Sequence, residues 1–305
     1  MRAFRQAQAT AEAFGNRVSS SCLCYPEPMA FNDPEIVLRL QNIGEQDGLT
    51  HDIGEAALLL ANLELPNKSL GRYLDELDLI VSDTTKAARG TRDLPGRIMV
   101  LSDILFKRHG YRGDNDTYDD PQNANLMRVI DRRKGLPVAL GILVIHAARS
   151  QGWDITGLNF PGHFLLRLTE SGEHAVIDPF DEARTLGSED LQHILARVYG
   201  AQMELHPEYI QSVSDRDILL RLQNNIKSRA LRDGNRARAI EVLELMTMIA
   251  PMKDEIMTEL VSLEASEGHY RSALGRIDHF LERYPKAKNA PAISDLKRIF
   301  QSRLN

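Results

Sequence analysis

Apolar residues recur at helical spacing along the first third of the chain. Ile36, Val37, Leu40 and Ile43 form one such set, and Ile53, Ala56, Leu59 and Leu60 form a second. Each set falls on one face of a 3.6-residue turn, and Asp33 followed by Pro34 supplies a cap and a first-turn proline. Leu70, Tyr73, Leu74, Leu77 and Ile80 continue the pattern, as do Ile98, Val100, Leu101, Ile104 and Leu105 after Pro95. The stretch from Gly110 to Asn125 is crowded with Gly, Asp, Asn and Pro and predicts an ordered surface loop. A short helix is expected over Asn125–Arg132. A buried one follows from Leu136 to Ser150, apolar on most faces, with Gly152 as its stop. Ile155–Phe160, Phe164–Leu168 and Ala175–Ile177 then read as strands, with Ser171-Gly172 as a turn between the last two. Helices followed by antiparallel strands predict an α+β class.

Beyond about residue 210 the pattern is helical throughout, and it repeats. Gly234, Ala239 and Pro251 recur as Gly268, Ala273 and Pro285, and Ile226 and Leu243 recur as Leu260 and Ile277, all at an offset of 34 residues. That offset is the tetratricopeptide period, in which a small residue lets two helices approach and proline stops the second. The expected organisation is a leader over 1–32, a mixed domain over 33–209 and helical repeats over 210–300.

Composition narrows the functional classes. A net charge of −6 offers no basic footprint for nucleic acid. The longest apolar run, Leu136–Ala148, is shorter than the roughly 20 residues that cross a bilayer, so no membrane role is expected. Cys22 and Cys24 are too few for a disulfide framework and suit a reducing, cytoplasmic setting. Arg2, Arg5 and Arg17 near Ser19, Ser20 and Ser21 are reminiscent of a transit peptide, but no apolar signal core follows, so 1–32 reads as an untargeted, frayed leader. His146, His163 and His174 lack metal-ligand spacing, so no metal and no cofactor is expected.

The chemistry concentrates in Asn159-Phe160-Pro161-Gly162-His163-Phe164 and Ile177-Asp178-Pro179-Phe180. A histidine and a carboxylate near the ends of adjacent strands can meet, and the carboxylate then fixes the imidazole tautomer. A nucleophile for such a pair belongs at the N-terminus of a buried helix, and that helix starts at Pro137.

These motifs resemble the transglutaminase-like superfamily, related in its core to papain-type enzymes. Its pattern is a Gly-x-Cys helix start, a later arginine and glycine, then His and Asp on successive strands. Gly135, Arg149, Gly152, His163 and Asp178 match, and the cysteine position holds Pro137. Asp120-Pro121-Gln122-Asn123 and Arg132-Arg133-Lys134-Gly135-Leu136-Pro137 add a likeness to the bacterial SirB-type, YchA-like branch, covering about residues 68 to 290. The resemblance implies a papain-like core with a small antiparallel sheet, followed by tetratricopeptide-like helices. Proline has no thiol, hydroxyl or N–H, so the acyl-transfer chemistry implied by the superfamily should be absent and the dyad vestigial. Binding-cleft candidates are Asn123, Arg133, Asn159, His163 and Asp178. The C-terminal helices are expected to present a surface to a protein or peptide. The alternative is a hydrolase or transferase with His163, oriented by Asp178, as general base.

Overall fold

Side-chain caps and apolar stripes set the helix boundaries. Asp52 accepts from the Glu55 N–H at the start of α2 (Ile53–Glu64), and Asp93 accepts from the Gly96 N–H at the start of α4 (Leu94–Leu101). These caps belong to a bundle of α1 (Pro34–Glu45), α2, α3 (Leu70–Ala87) and α4, the last running on into a π-helical segment, Ser102–Arg108. The structure, a computed structural model, describes residues 33–45, 52–200, 202–287 and 290–304. All of these lie in one compact unit, Phe31–Asn305. The expected leader, with Cys22 and Cys24, lies outside the described residues.

The chain then makes β1 (Arg112–Gly113), a 3₁₀ turn over Pro121–Ala124, α5 (Leu126–Arg132) and β2 (Lys134–Gly135), which pairs in parallel with β1. The segment expected to run over the surface is exposed over 115–119, and it also turns polar side chains inward. Asp114 and Asn123 are both buried, because each is satisfied by hydrogen bonds within the loop and from Arg132. α6 (Pro137–Arg149) follows, with eleven of its thirteen residues buried, as expected for a helix apolar on most faces.

Five antiparallel strands form the sheet: β3 (Asp154–Leu158), β4 (Leu166–Glu170), β5 (Glu173–Asp178), β6 (Arg184–Leu186) and β7 (Ser212–Val213), in the order β6-β5-β4-β3-β7. The β4–β5 hairpin turns on Ser171 and Gly172, at φ 50° and 87°. Two left-handed residues match the strand twist of a two-residue hairpin loop. They fix the register at Glu170 opposite Glu173 and Leu166 opposite Ile177. α7 (Ser188–Tyr199) covers part of the sheet through a small separate core that includes Phe160, Leu165, Leu191 and Leu195.

Five helices complete the chain: α8 (Asp215–Arg232), α9 (Arg236–Ile249), α10 (Asp254–Ser266), α11 (Tyr270–Arg283) and α12 (Ala290–Leu304). The main core is continuous from Ile36 on α1, through α6 and the sheet, to Leu260 on α10. Ala239 and Ala273 are both fully buried. Ala239→Leu and Ala273→Leu are each expected to destabilise the protein by about 1–3 kcal/mol through overpacking. Near-neutral urea midpoints for both variants would show that these helices do not approach closely at the alanines.

Candidate functional site

His163 lies in the loop between β3 and β4, and Asp178 ends β5, so the hairpin register brings them to one edge of the sheet. His163 Nε2 is 2.9 Å from Asp178 Oδ2, and the other carboxylate oxygen accepts the Phe180 N–H at 2.8 Å. Both side chains are about nine-tenths buried. A carboxylate on Nε2 favours the tautomer protonated there and leaves the Nδ1 lone pair as a base or acceptor. Among the described residues Nδ1 has no hydrogen-bond partner.

Two close approaches bring α6 and β1 toward this pair. A Cβ at Gly141 would sit 2.5 Å from the Phe164 ring and 3.5 Å from Pro179, the neighbours of His163 and Asp178. Pro137 lies one turn earlier on the same helical face and is buried. A Cβ at Gly113 would sit 2.7 Å from the Phe180 ring, so β1 admits only glycine where Phe180 crosses it. Phe180 stands edge-on to both His163, at 6.3 Å, and Tyr118, at 5.8 Å.

His163, Asp178, Phe180 and Tyr118 line a cleft of about 630 Å³, whose other wall is α7, contributing Glu189, Asp190, His193, Ile194 and Arg197. Among its described lining residues there is no cysteine, serine or threonine. Tyr118 supplies the one hydroxyl among them. Burial pushes its pKa up, against the pull of nearby arginines, so the phenol stays protonated at neutral pH.

α8 holds two parts of the wall opposite α7. Arg221 donates to the carbonyls of Phe160, at 3.0 Å, and His163, at 2.7 Å, and lies over the Phe164 ring. Two turns on, Arg229 donates to the carbonyls of Asp119, at 3.1 Å, and Tyr118, at 3.2 Å. Asn225, between them, bonds the Arg221 carbonyl and accepts from Arg229. Arg149, on α6, pairs with both carboxylate oxygens of Asp215 at the start of α8.

The sequence-derived cleft set is only partly brought together. His163 and Asp178 line the cleft, whereas Asn123, Arg133 and Asn159 do not. Asn123 is buried and donates to the Thr117 carbonyl at 2.6 Å, which leaves no face for a ligand. Arg133 adopts a left-handed backbone, φ 56°, which turns its side chain onto Glu76 and the Tyr111 ring. Asn159 is exposed at the sheet edge, its N–H donating to the Gln211 carbonyl. The flanking basic residues are paired too, Arg132 with Asp114 and Lys134 with Asp116. The α7 wall escaped the sequence reading, although Leu191, Ile194 and Leu195 at helical spacing behind Asp190 carry an amphipathic signal.

His146 bonds Asp52 at 3.0 Å. Among the described residues, no group of three or more His, Cys, Asp or Glu is placed to hold a metal, and no helix is long and apolar enough to cross a membrane.

Comparison with known proteins places this geometry. A UPF0162 protein of Vibrio cholerae is 29% identical over 258 residues, covering 84% of this chain and 94% of that one. Another, from Xylella fastidiosa strain Temecula1, is 27% identical over 259 residues, covering 83% and 91%. The crystal structure of menin aligns with a TM-score of 0.39 at 10% identity, covering 85% of this chain and 67% of that one, a likeness too slight to bear on fold. The family model described as the transglutaminase-like superfamily matches residues 71–224, just over half of the chain and the stretch that holds Gly135, Pro137, His163 and Asp178. On that match, the chain belongs to the transglutaminase-like superfamily.

Proposed function

We propose that this protein is a non-catalytic member of the superfamily, whose cleft and C-terminal helices bind a protein or peptide. The observation that carries this reading is Pro137, the first residue of α6, on the helical face whose next turn touches the neighbours of both dyad residues. Acyl transfer through a covalent intermediate needs a polarisable attacking atom at that point, and proline supplies none. Binding and positioning survive such a replacement, because the walls of the cleft do not depend on the nucleophile.

The C-terminal helices fit the tetratricopeptide-like reading. α9 and α11 start and end exactly one 34-residue period apart, and Gly234 and Gly268, at φ 75° and 82°, make the preceding turns. With this reading 33–209 is the transglutaminase-like part and 210–300 the helical repeats.

A second reading, a hydrolase or transferase, is favoured by one specific contact. The 2.9 Å bond from His163 Nε2 to Asp178 leaves Nδ1 able to take a proton from water or a substrate hydroxyl. One assay separates the two. Wild type, iodoacetamide-treated wild type and His163→Ala are compared on a panel of amide and ester substrates, with circular dichroism as the folding control. No turnover is expected in any sample. Turnover sensitive to iodoacetamide would sink the non-catalytic reading through a thiol. Turnover that resists iodoacetamide and disappears in His163→Ala would establish the general-base reading instead.

A further inference from the structure

The charges around the cleft are sorted by sign. At one end Asp181, Glu189 and Asp190 surround a single guanidinium, Arg184, which pairs with Asp181 at 2.6 Å and Asp190 at 3.0 Å. Among the described residues Glu189 has no hydrogen-bond or ion-pair partner. At the other end Arg197 is the cationic lining residue, while Arg229, behind Tyr118, pairs with Asp119 at 3.4 Å. Arg221 spends its donors on two carbonyls, and Arg197 has no carboxylate partner among the described residues.

Part of this polarity complements the α7 macrodipole, since Glu189 and Asp190 lie in its first turn and Arg197 in its last. That account stops at α7. Asp181, from the β5–β6 turn, lines the cleft as well and extends the acidic pole beyond that helix. Between the poles lie Ile194 and His193 on one wall and Phe180 and Tyr118 on the other.

We infer that the cleft takes an extended peptide carrying a basic side chain and an acidic one four positions apart, with an apolar residue between them. This rests on the binding reading above. The spacing follows from the two unpaired charges. Glu189 and Arg197 are eight residues apart on one helix, about 12 Å at roughly 1.5 Å per residue. In an extended chain, positions i and i+4 are about 13 Å apart at ~3.3 Å per residue, and i, i+2 and i+4 share a face. The basic group then meets Glu189, the apolar one Ile194, and the acidic one Arg197. The remaining positions face Phe180, Tyr118 and His163.

The probes are two fluorescein-labelled heptapeptides, Ala-Lys-Ala-Leu-Ala-Glu-Ala and Ala-Glu-Ala-Leu-Ala-Lys-Ala, titrated by anisotropy into the full chain at low salt. A control of the same composition has its Lys and Glu adjacent. One ordered peptide is expected to bind about tenfold tighter than the control, and Arg197→Glu to weaken it about tenfold. Replacing that peptide's Glu by Lys should restore binding to Arg197→Glu, and 0.5 M salt should weaken binding to wild type. Arg197 is exposed, so an unchanged Tm is expected for the variant. Equal binding of ordered and adjacent-charge peptides overturns the inference while leaving a binding cleft intact. No binding of either ordered peptide overturns it too. Cleavage of the bound probe, followed by mass spectrometry in the same samples, would instead overturn the non-catalytic reading beneath it.

Discussion

Replacing Arg276 by alanine is expected to destabilise the protein by about 3–5 kcal/mol, because it strands two buried carboxylates. Glu244 on α9 and Glu264 on α10 are each 3% exposed, and Arg276 on α11 reaches both, donating to Glu264 at 2.9 Å and pairing with Glu244. One oxygen of each carboxylate has no hydrogen-bond partner, so the guanidinium carries most of the compensation for burying two like charges. Burial pushes the Glu244 pKa up; Arg276 pulls it back down, and the charge of Glu264 adds to the rise. A carboxyl raised in the folded state is best tolerated when protonated, and its contribution to stability is lost as pH rises through the folded value. Without Arg276 that rise is larger. The deficit of Arg276→Ala should therefore be greatest near neutral pH and shrink as the buffer is taken down toward the carboxylate range. Urea unfolding at pH 7.5 and pH 5 measures both. A loss below about 1 kcal/mol at pH 7.5, or a loss that grows on acidification, would remove the buried triad as the link among these three helices.

Much of the sheet edge that holds His163 and Asp178 was legible in the sequence because it depends on local signals. Ser171-Gly172 announces a two-residue turn, and that turn alone sets the register that carries Asp178 to the end of β5 beside the loop of His163. The 34-residue offset was equally plain, since helix ends punctuated by glycine and proline do not depend on distant partners. What the sequence could not reveal is where long polar side chains spend their donors. Arg221 and Arg229 brace the cleft wall opposite α7 through backbone carbonyls 58 to 111 residues away, and a carbonyl has no sequence signature. Arg133 was read as a cleft residue from its place in the basic run. Its left-handed backbone, an uncommon conformation outside glycine, sends it elsewhere. Asn123 misled for the opposite reason, since asparagine in a polar loop reads as exposed, whereas this one is an internal strut of that loop.

That strut belongs to a closed polar ring, and removing its carboxylate by Asp114→Asn is expected to cost about 2–4 kcal/mol at neutral pH. Asp114 is 1% exposed and accepts from the Thr117 N–H at 3.0 Å, the Thr117 hydroxyl at 2.7 Å and Arg132 at 2.8 Å. Arg132 donates in turn to Asn123 at 3.0 Å, and Asn123 closes the ring on the Thr117 carbonyl. Burial works against the ionised form, but the Thr117 bonds and the Lys134 charge outweigh it and hold the Asp114 pKa at about 2, below the ordinary 3.8. A carboxyl lowered in the folded state adds stability that is present above the unfolded value and lost as pH falls through the folded one. Moving it from 3.8 to about 2 corresponds to about 2.5 kcal/mol. The gap in urea stability between wild type and Asp114→Asn should thus be full above about pH 4 and narrow between about pH 4 and pH 2. The ring also anchors Tyr118, one wall of the cleft, because Thr117 precedes it and Arg229 holds its carbonyl from the far side. Amide exchange over residues 114–120 should therefore accelerate in the variant, while the β4–β5 hairpin keeps its protection. A gap that stays constant down to pH 2, or acceleration spread evenly over the chain, would mean that Asp114 adds general stability and does not hold the cleft wall.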